Sequence, residues 1–159
     1  MTASINDPAS AVGCMKGAHV LVLGDLVADI YLDGRISRIS REAPVLVLEE
    51  MGERVVAGGA ANVAHNAATL GGAVHAFGVL GEDAGGAGIT AVLEAAGVDT
   101  SGLLTTAERP TISKTRVIAG GRATVSQQIV RIDKESREPL SSALAEALEA
   151  RLLQALAHV

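Results

Sequence analysis

The stretch V-A-G-G-A-A-N-V-A-H-N-A-A-T-L-G-G, Val56 to Gly72, decides the fold, together with the run A-V-H-A-F-G-V-L-G that follows it from Ala73 to Gly81. Gly58 and Gly59 stand directly ahead of an alanine-rich segment with helical spacing; Asn62 falls in its first turn and Gly71-Gly72 end it. A glycine pair in that position lets the backbone come close to a ligand, because no Cβ intervenes. The unpaired N–H groups of the helix start can then meet polar or anionic atoms. Asn62 adds an amide with two donors and an acceptor. Two readings fit these residues equally well: a cradle for a small polar molecule, and a core helix with Asn62 as its local cap.

Upstream, His19 to Leu23 (H-V-L-V-L) is a continuous apolar run ending at Gly24-Asp25, the form of a strand buried on both faces. Functional groups in α/β sheets gather just past the C-terminal ends of such strands. Asp25 and Asp29, in G-D-L-V-A-D, lie there, and either could instead cap a turn. Asp33-Gly34 reads as a turn and residues 36–43 as a polar loop. Val45 to Glu49 and Glu53 to Val56 read as two strands joined at Met51-Gly52, a small flap outside the central sheet.

Downstream, G-E-D-A-G-G-A-G (81–88) lacks the lysine of a P-loop and does not match G-x-G-x-x-G. Asp83 is expected to cap a helix reaching about Ala96, with Ile89, Val92, Leu93 and Ala96 on one face and Gly97 as its stop. Residues 98–102 read as a loop. Thr111 to Ala119 and Thr124 to Ile132 flank Gly120-Gly121 as a β-hairpin. Lys114 and Arg116, two apart, project from one face, with Arg131 on the second strand. The trio reads as a solvated face or as a cationic cluster for an anionic substrate group. Ser141 or Ser142 caps a last helix whose apolar stripe is Leu144, Leu148, Leu152, Ala155 and Val159.

Composition narrows the class. The 159 residues are 48% hydrophobic yet hold one Tyr, one Phe and no Trp, so Ala, Val, Leu and Ile must build the core. A net charge of −5 argues against nucleic acid or an anionic membrane as partner. Cys14 is the only cysteine, which excludes an internal disulfide or thiolate metal cluster and fits a reducing, cytoplasmic setting. No metal site is expected. No apolar run approaches the roughly 18 residues of a membrane span. The first 17 residues lack a signal-peptide pattern and read as a loose arm with at most a helical turn, ahead of a unit covering 18–159.

G-G-A-A-N-V-A (58–64), then six residues to Gly71 and nine more to Gly81, resembles the first signature of the ribokinase / phosphofructokinase-B sugar-kinase family at every fixed position. V-L-V-L-G-D-L-V-A-D resembles that family's first strand. Within the family, S-R-I-S-x-E-A-P-V (37–45), R-P-T-I-S-K-T-R-V-I (109–118) and Q-Q-I-V-R-I-D (127–133) are similar to heptose-7-phosphate kinase domains. In bacteria making lipopolysaccharide heptose these are often fused to an adenylyltransferase. The resemblance implies an α/β ribokinase-like fold: a mostly parallel sheet with flanking helices and a small β-lid. It implies ATP and Mg²⁺ as cofactors, a phosphorylated sugar as substrate, and allows a homodimer joined through the lid. Asp29 falls where these kinases hold sugar hydroxyls, and Gly58, Gly59 and Asn62 fall on their sugar-contacting glycine pair and asparagine. Lys114 and Arg116 are candidates for the sugar phosphate on charge and same-face spacing.

The family's base is an aspartate in a G-A-G-D segment, and no G-x-G-D occurs in the chain. The 159 residues therefore resemble the N-terminal, substrate-and-lid half of a sugar kinase, with no catalytic residue among them, the base and the ATP site being expected beyond Val159. Two other readings stay open: a ribose, fructose or nucleoside kinase half, and a sugar-phosphate-binding or split-kinase partner module. A dinucleotide-binding domain is disfavoured by the missing G-x-G-x-x-G.

Overall fold

The computed structural model describes residues 8–120 and 125–157. Residues 1–7 of the expected arm, Gly121 and Thr124 of the expected hairpin, and Val159 of the terminal stripe lie outside the described residues. Pro8–Met15 forms a helix, α1, ahead of the first strand.

The apolar run His19–Leu23 forms β1 and lies parallel to β4, Ala73–Gly81, in the register His19↔Ala73 through Leu23↔Phe77. On the other side of β4 lies β5, Asp99–Thr106, again parallel, so the order is β1-β4-β5. Residues 99–102 of the 98–102 stretch read from sequence as a loop thus open a strand. The string D-T-S-G-L-L-T-T has no apolar alternation, and pairing with β4 decides its conformation, as context routinely does for strands.

A second sheet rises from the C-terminal end of β1. It is built from β2 (Leu26–Ile39), β3 (Leu46–Gly58), β6 (Ile112–Gly120) and β7 (Gln127–Lys134) in the order β3-β2-β6-β7. β2 runs antiparallel to β3 and parallel to β6, and β6 runs antiparallel to β7. Asp33-Gly34 is not a turn. β2 passes through it with a register shift against β3, and it continues to Ile39, through the first half of the stretch read as loop. The expected joint at Met51-Gly52 also falls inside one continuous strand. Pairing of β2 with β3 along nearly their whole length satisfies the backbone groups that turn-forming residues would otherwise leave to loops.

Helices α2 (Gly59–Thr69) and α3 (Ala84–Ala95) fill the angle between the two sheets. The core there consists of Leu26, Ala28, Ala57, Ala61, Ala64, Val74, Ala76, Leu80, Ile89, Leu93 and Val98. The alanines matter: Ala28 pairs with Ala57, and Ala61 and Ala64 are the buried face of α2, so helix and sheet approach closely without aromatic filling. Asp83 caps α3 by accepting from Gly86 N at 3.0 Å, and Ser141 caps the last helix, α4 (Ser142–Leu156), by accepting from Leu144 N at 3.4 Å. α4 packs on β4 and β5. Its Arg151 donates Nη1 to the carbonyls of Ser101 at 2.9 Å and Leu103 at 2.7 Å, on the edge of β5. No helix among the described residues is long and apolar enough to cross a membrane.

Candidate functional site

β2 leaves the end of β1 after Gly24-Asp25, and β3 returns to the same place before handing the chain to α2. Leu26 bridges Gly59, and Ala60 N donates to the Asp25 carbonyl at 2.8 Å. This bond satisfies one donor of the first turn of α2. It also brings the Gly58-Gly59 pair down onto the start of β2.

Side chains set the spacing. A Cβ on Gly58 would stand 2.6 Å from Asp29 Oδ2 and 3.1 Å from the Val27 carbonyl. Gly59 has φ +55°, and a Cβ there would stand 2.5 Å from the Asp25 carbonyl. A Cβ at Gly59 meets backbone and cannot be accommodated without moving it, whereas one at Gly58 would push the Asp29 carboxylate aside and press on the Val27 carbonyl. Gly58, Gly59 and Asp29 therefore form one constellation at the C-terminal edge of the parallel sheet. Asp25 takes part only through its backbone.

Asp29, Tyr31 and Asp33 share one face of β2 because strand side chains alternate. On β6, Lys114 stands opposite Asp29 and Arg116 opposite Tyr31. Arg116 Nη1 donates diagonally to Asp29 Oδ1 at 2.5 Å, with both side chains about one-fifth exposed. It also donates to the Lys114 carbonyl at 3.4 Å. The Asp29 hydrogen bond outweighs partial burial and raises the Arg116 pKa above its ordinary value, so the guanidinium stays charged. Arg116 Cζ lies 5.3 Å from the centre of the Tyr31 ring, and Arg54 of β3 lies over the same ring at 4.1 Å. Arg54 also approaches Asp33, at 3.7 Å. The opposite face of this sheet carries buried Ala28, Ala57, Ser113, Val117 and Ala119. One face thus faces the core, and the other holds charge and a phenol ring.

Asn62 lies in the first turn of α2, exposed, and its Oδ1 accepts from Asn66 Nδ2 at 3.1 Å. It does not cap the helix; Gly58 occupies the cap position with no side-chain bond. Arg131 stands opposite Arg116 on β7 but pairs with Asp133 of its own strand at 2.8 Å. The sequence trio is therefore divided: Lys114 and Arg116 border Asp29, and Arg131 belongs to the exposed outer strand. Sequence reasoning missed Tyr31 and Arg54. Period-two spacing from Asp29 points to Tyr31, but Arg54 depends on the β2–β3 register, which the false turn at Asp33-Gly34 concealed.

Two cavities flank the parallel sheet. One of about 200 Å³ lies past the C-terminal ends of β1 and β4, with Gly24, Asp25, Gly78 and Arg109 in its wall. The other, about 480 Å³, lies at the opposite end, where His75 Nδ1 meets Asp99 Oδ2 at 2.8 Å and the His19 ring stacks on His75. The larger cavity is set at the N-terminal ends of the strands, away from the edge where groups of open α/β sheets converge on ligands. Among the described residues no three His, Cys, Asp or Glu side chains are gathered to hold a metal ion.

A second polar node ties the sheets together. Asp83 accepts from Gly86 N, from Thr111 N at 3.1 Å and from Lys134 Nζ at 3.3 Å. Burial disfavours its charge, yet the bonds from Thr111, Gly86 and Lys134 prevail and bring its pKa down to about 2.

The profile of the pfkB family carbohydrate kinases matches residues 18–157. The chain is 48% identical over 129 residues to the bifunctional protein HldE of Helicobacter pylori (strain P12), a match covering 81% of this chain and 27% of that protein. It thus spans about a quarter of the length of the curated relatives it matches. A ribokinase of Arabidopsis thaliana, complexed with ribose and ATP, superposes with a TM-score of 0.54 at 22% identity, covering 83% of this chain and 42% of that one. A ribokinase of Cryptococcus neoformans var. grubii serotype A, in complex with ADP, gives 0.50 at 27% identity, covering 80% and 38%. The fold is ribokinase-like.

Proposed function

Since this chain belongs to the pfkB family of carbohydrate kinases, we propose that its second sheet and the start of α2 form the substrate cradle of a sugar kinase acting on heptose 7-phosphate. In this reading Asp29 accepts hydrogen bonds from sugar hydroxyls. Gly58 and Gly59 let the ring lie against the backbone, and Asn62 supplies an amide at the helix start. Lys114 and Arg116 supply the positive charge that the sugar phosphate needs. The observation that carries the reading is the approach of Gly58 to Asp29 Oδ2, which a Cβ at this position would disturb by displacing the carboxylate.

Heptose 7-phosphate is favoured over ribose or fructose by the strings around Ser37–Val45 and Gln127–Asp133 and by the identity to HldE. The proposed reaction transfers the γ-phosphate of ATP to the anomeric O1, in the cytoplasm, within the synthesis of ADP-heptose for lipopolysaccharide. ATP as donor draws on the nucleotides bound to the two ribokinases. Mg²⁺ would accompany the ATP phosphates rather than sit in a cage of this chain's side chains, since among the described residues no three His, Cys, Asp or Glu side chains gather. Nor does the chain hold a G-x-G-D segment for the base. Its proposed part is substrate binding, in a unit running from about residue 18 to 159, and the 159 residues alone are expected to show no ATP-dependent turnover. A homodimer through the second sheet is part of the proposal, since β3 and β7 are that sheet's edge strands.

Calorimetric titration with heptose 7-phosphate tests the assignment. Asn62→Ala is expected to weaken binding about tenfold, the size of one hydrogen bond to a charged or strongly polar partner. Unchanged affinity would remove Asn62 from the site.

A further inference from the structure

The two cations beside Asp29 are not equivalent, and we infer that Arg116 is a positioning residue that orients the Asp29 carboxylate, while Lys114 is the cation that meets the phosphate. The inference rests on the sugar-cradle reading of the same site.

Three observations separate the roles. Arg116 Nη1 is already engaged, by Asp29 Oδ1 at 2.5 Å and by the Lys114 carbonyl at 3.4 Å. Its guanidinium is further placed against the Tyr31 ring, with Arg54 on the same ring. A planar group fixed by a hydrogen bond and a ring contact is preorganised in a way a flexible ammonium is not. The second observation is the asymmetry of the carboxylate. Oδ1 takes the Arg116 bond, and Oδ2 is the oxygen that faces Gly58. Arg116 therefore fixes the rotation of the carboxylate and leaves Oδ2 turned to Gly58, the side on which the cradle reading places a sugar hydroxyl. The third is register: Lys114 stands directly opposite Asp29. Its ammonium has three donors on a flexible stem and forms no ion pair among the described residues, so it can follow a phosphate.

The consequence is a division that binding can read. A cation that touches only phosphate affects only the phosphorylated sugar. A residue acting through Asp29 affects the sugar whether or not it carries phosphate, and its effect disappears once Asp29 can no longer be oriented.

The experiment is calorimetry on the full chain with D-glycero-D-manno-heptose 7-phosphate and the same heptose without phosphate. Variants are Arg116→Gln, Arg116→Lys, Lys114→Gln and Asp29→Asn, with Asp29→Asn/Arg116→Gln closing a double-mutant cycle. Arg116→Gln is expected to weaken both sugars by the same factor, about tenfold, and to add little in the Asp29→Asn background. Lys114→Gln is expected to weaken the phosphorylated sugar alone. Arg116→Lys retains charge without the planar fork and should recover part of the loss for both sugars; it gives the same readout should Arg116→Gln not fold. A loss confined to the phosphorylated sugar, or additivity with Asp29→Asn on that sugar, overturns the inference while leaving the cradle standing. Absence of wild-type binding to either sugar overturns the cradle and the inference with it.

Discussion

Asp29 and Arg116, 87 positions apart in sequence, meet across the β2–β6 pairing at 2.5 Å, a diagonal one step from the Asp29↔Lys114 register. Each side chain is about four-fifths buried, so the pair is better shielded from solvent than an ion pair on an exposed surface. Their contact ties the candidate sugar-binding carboxylate on β2 to β6, the strand that carries Lys114, the candidate phosphate cation. The glycine pair closes the opposite side. Much of what can be tested follows from how tightly these groups are held.

Gly58→Ala should separate binding from folding. Its Cβ would enter within 2.6 Å of Asp29 Oδ2 and displace the carboxylate. The expected result is at least about tenfold weaker sugar binding, with a stability loss of about 1–3 kcal/mol typical of overpacking. Calorimetry and denaturant titration of the same preparation check both.

Gly59→Ala is expected to act chiefly on stability. It combines a positive φ of 55° with a 2.5 Å clash against the Asp25 carbonyl, at the junction that seats α2. A loss of about 2–4 kcal/mol is expected from strain and clash together, read as a lower denaturant midpoint.

Asp83 makes stability depend on acid. Its folded pKa, about 2, lies below the ordinary 3.8, so the folded state binds its proton less readily than the unfolded state. The contribution is present above pH 4 and is lost as pH falls from about 4 towards 2. A shift of this size corresponds to about 2 kcal/mol. Asp83→Asn should lower the denaturant midpoint at pH 7 and flatten the stability profile in that window; a profile identical to wild type contradicts the assignment.

Arg151 holds α4 to the sheet through two carbonyls on the edge of β5. α4 buries no residue completely; its stripe Leu144, Leu148, Leu152 and Ala155 is half-buried, and the two Arg151 bonds add to that packing. Arg151→Ala should increase amide hydrogen exchange throughout α4 while leaving α2 and α3 protected.

How much of this was legible in the sequence depends on whether the signal was local. The G-G-A-A-N-V-A helix and the Asp83 cap were readable because period and cap residue agree within a few residues. The apolar run of β1 does form a strand, but as the edge of its sheet it is only half-buried, with Leu23 exposed, rather than covered on both faces. Asp29 and the glycine pair were marked by their places past β1 and ahead of α2, resemblance gave them sugar-binding roles, and geometry adds that Gly59 sits against backbone and Gly58 against the Asp29 carboxylate. β5 was hidden because its conformation comes from β4 rather than from its own polar sequence. The long β2–β3 ribbon was hidden because Asp33-Gly34 and Met51-Gly52 are turn-forming pairs that tertiary pairing overrides. The engagement of Arg116 with Asp29, and of Arg54 with Tyr31, lies wholly in inter-strand register, which single-strand periodicity cannot supply.

The most direct test of the cradle is titration of wild-type protein and Asp29→Asn with heptose 7-phosphate, with thermal unfolding run alongside. Saturable one-to-one binding to wild type, weakened at least about tenfold in Asp29→Asn while the variant still unfolds cooperatively, is the predicted result. No wild-type binding, or equal affinity in the two proteins, would contradict it.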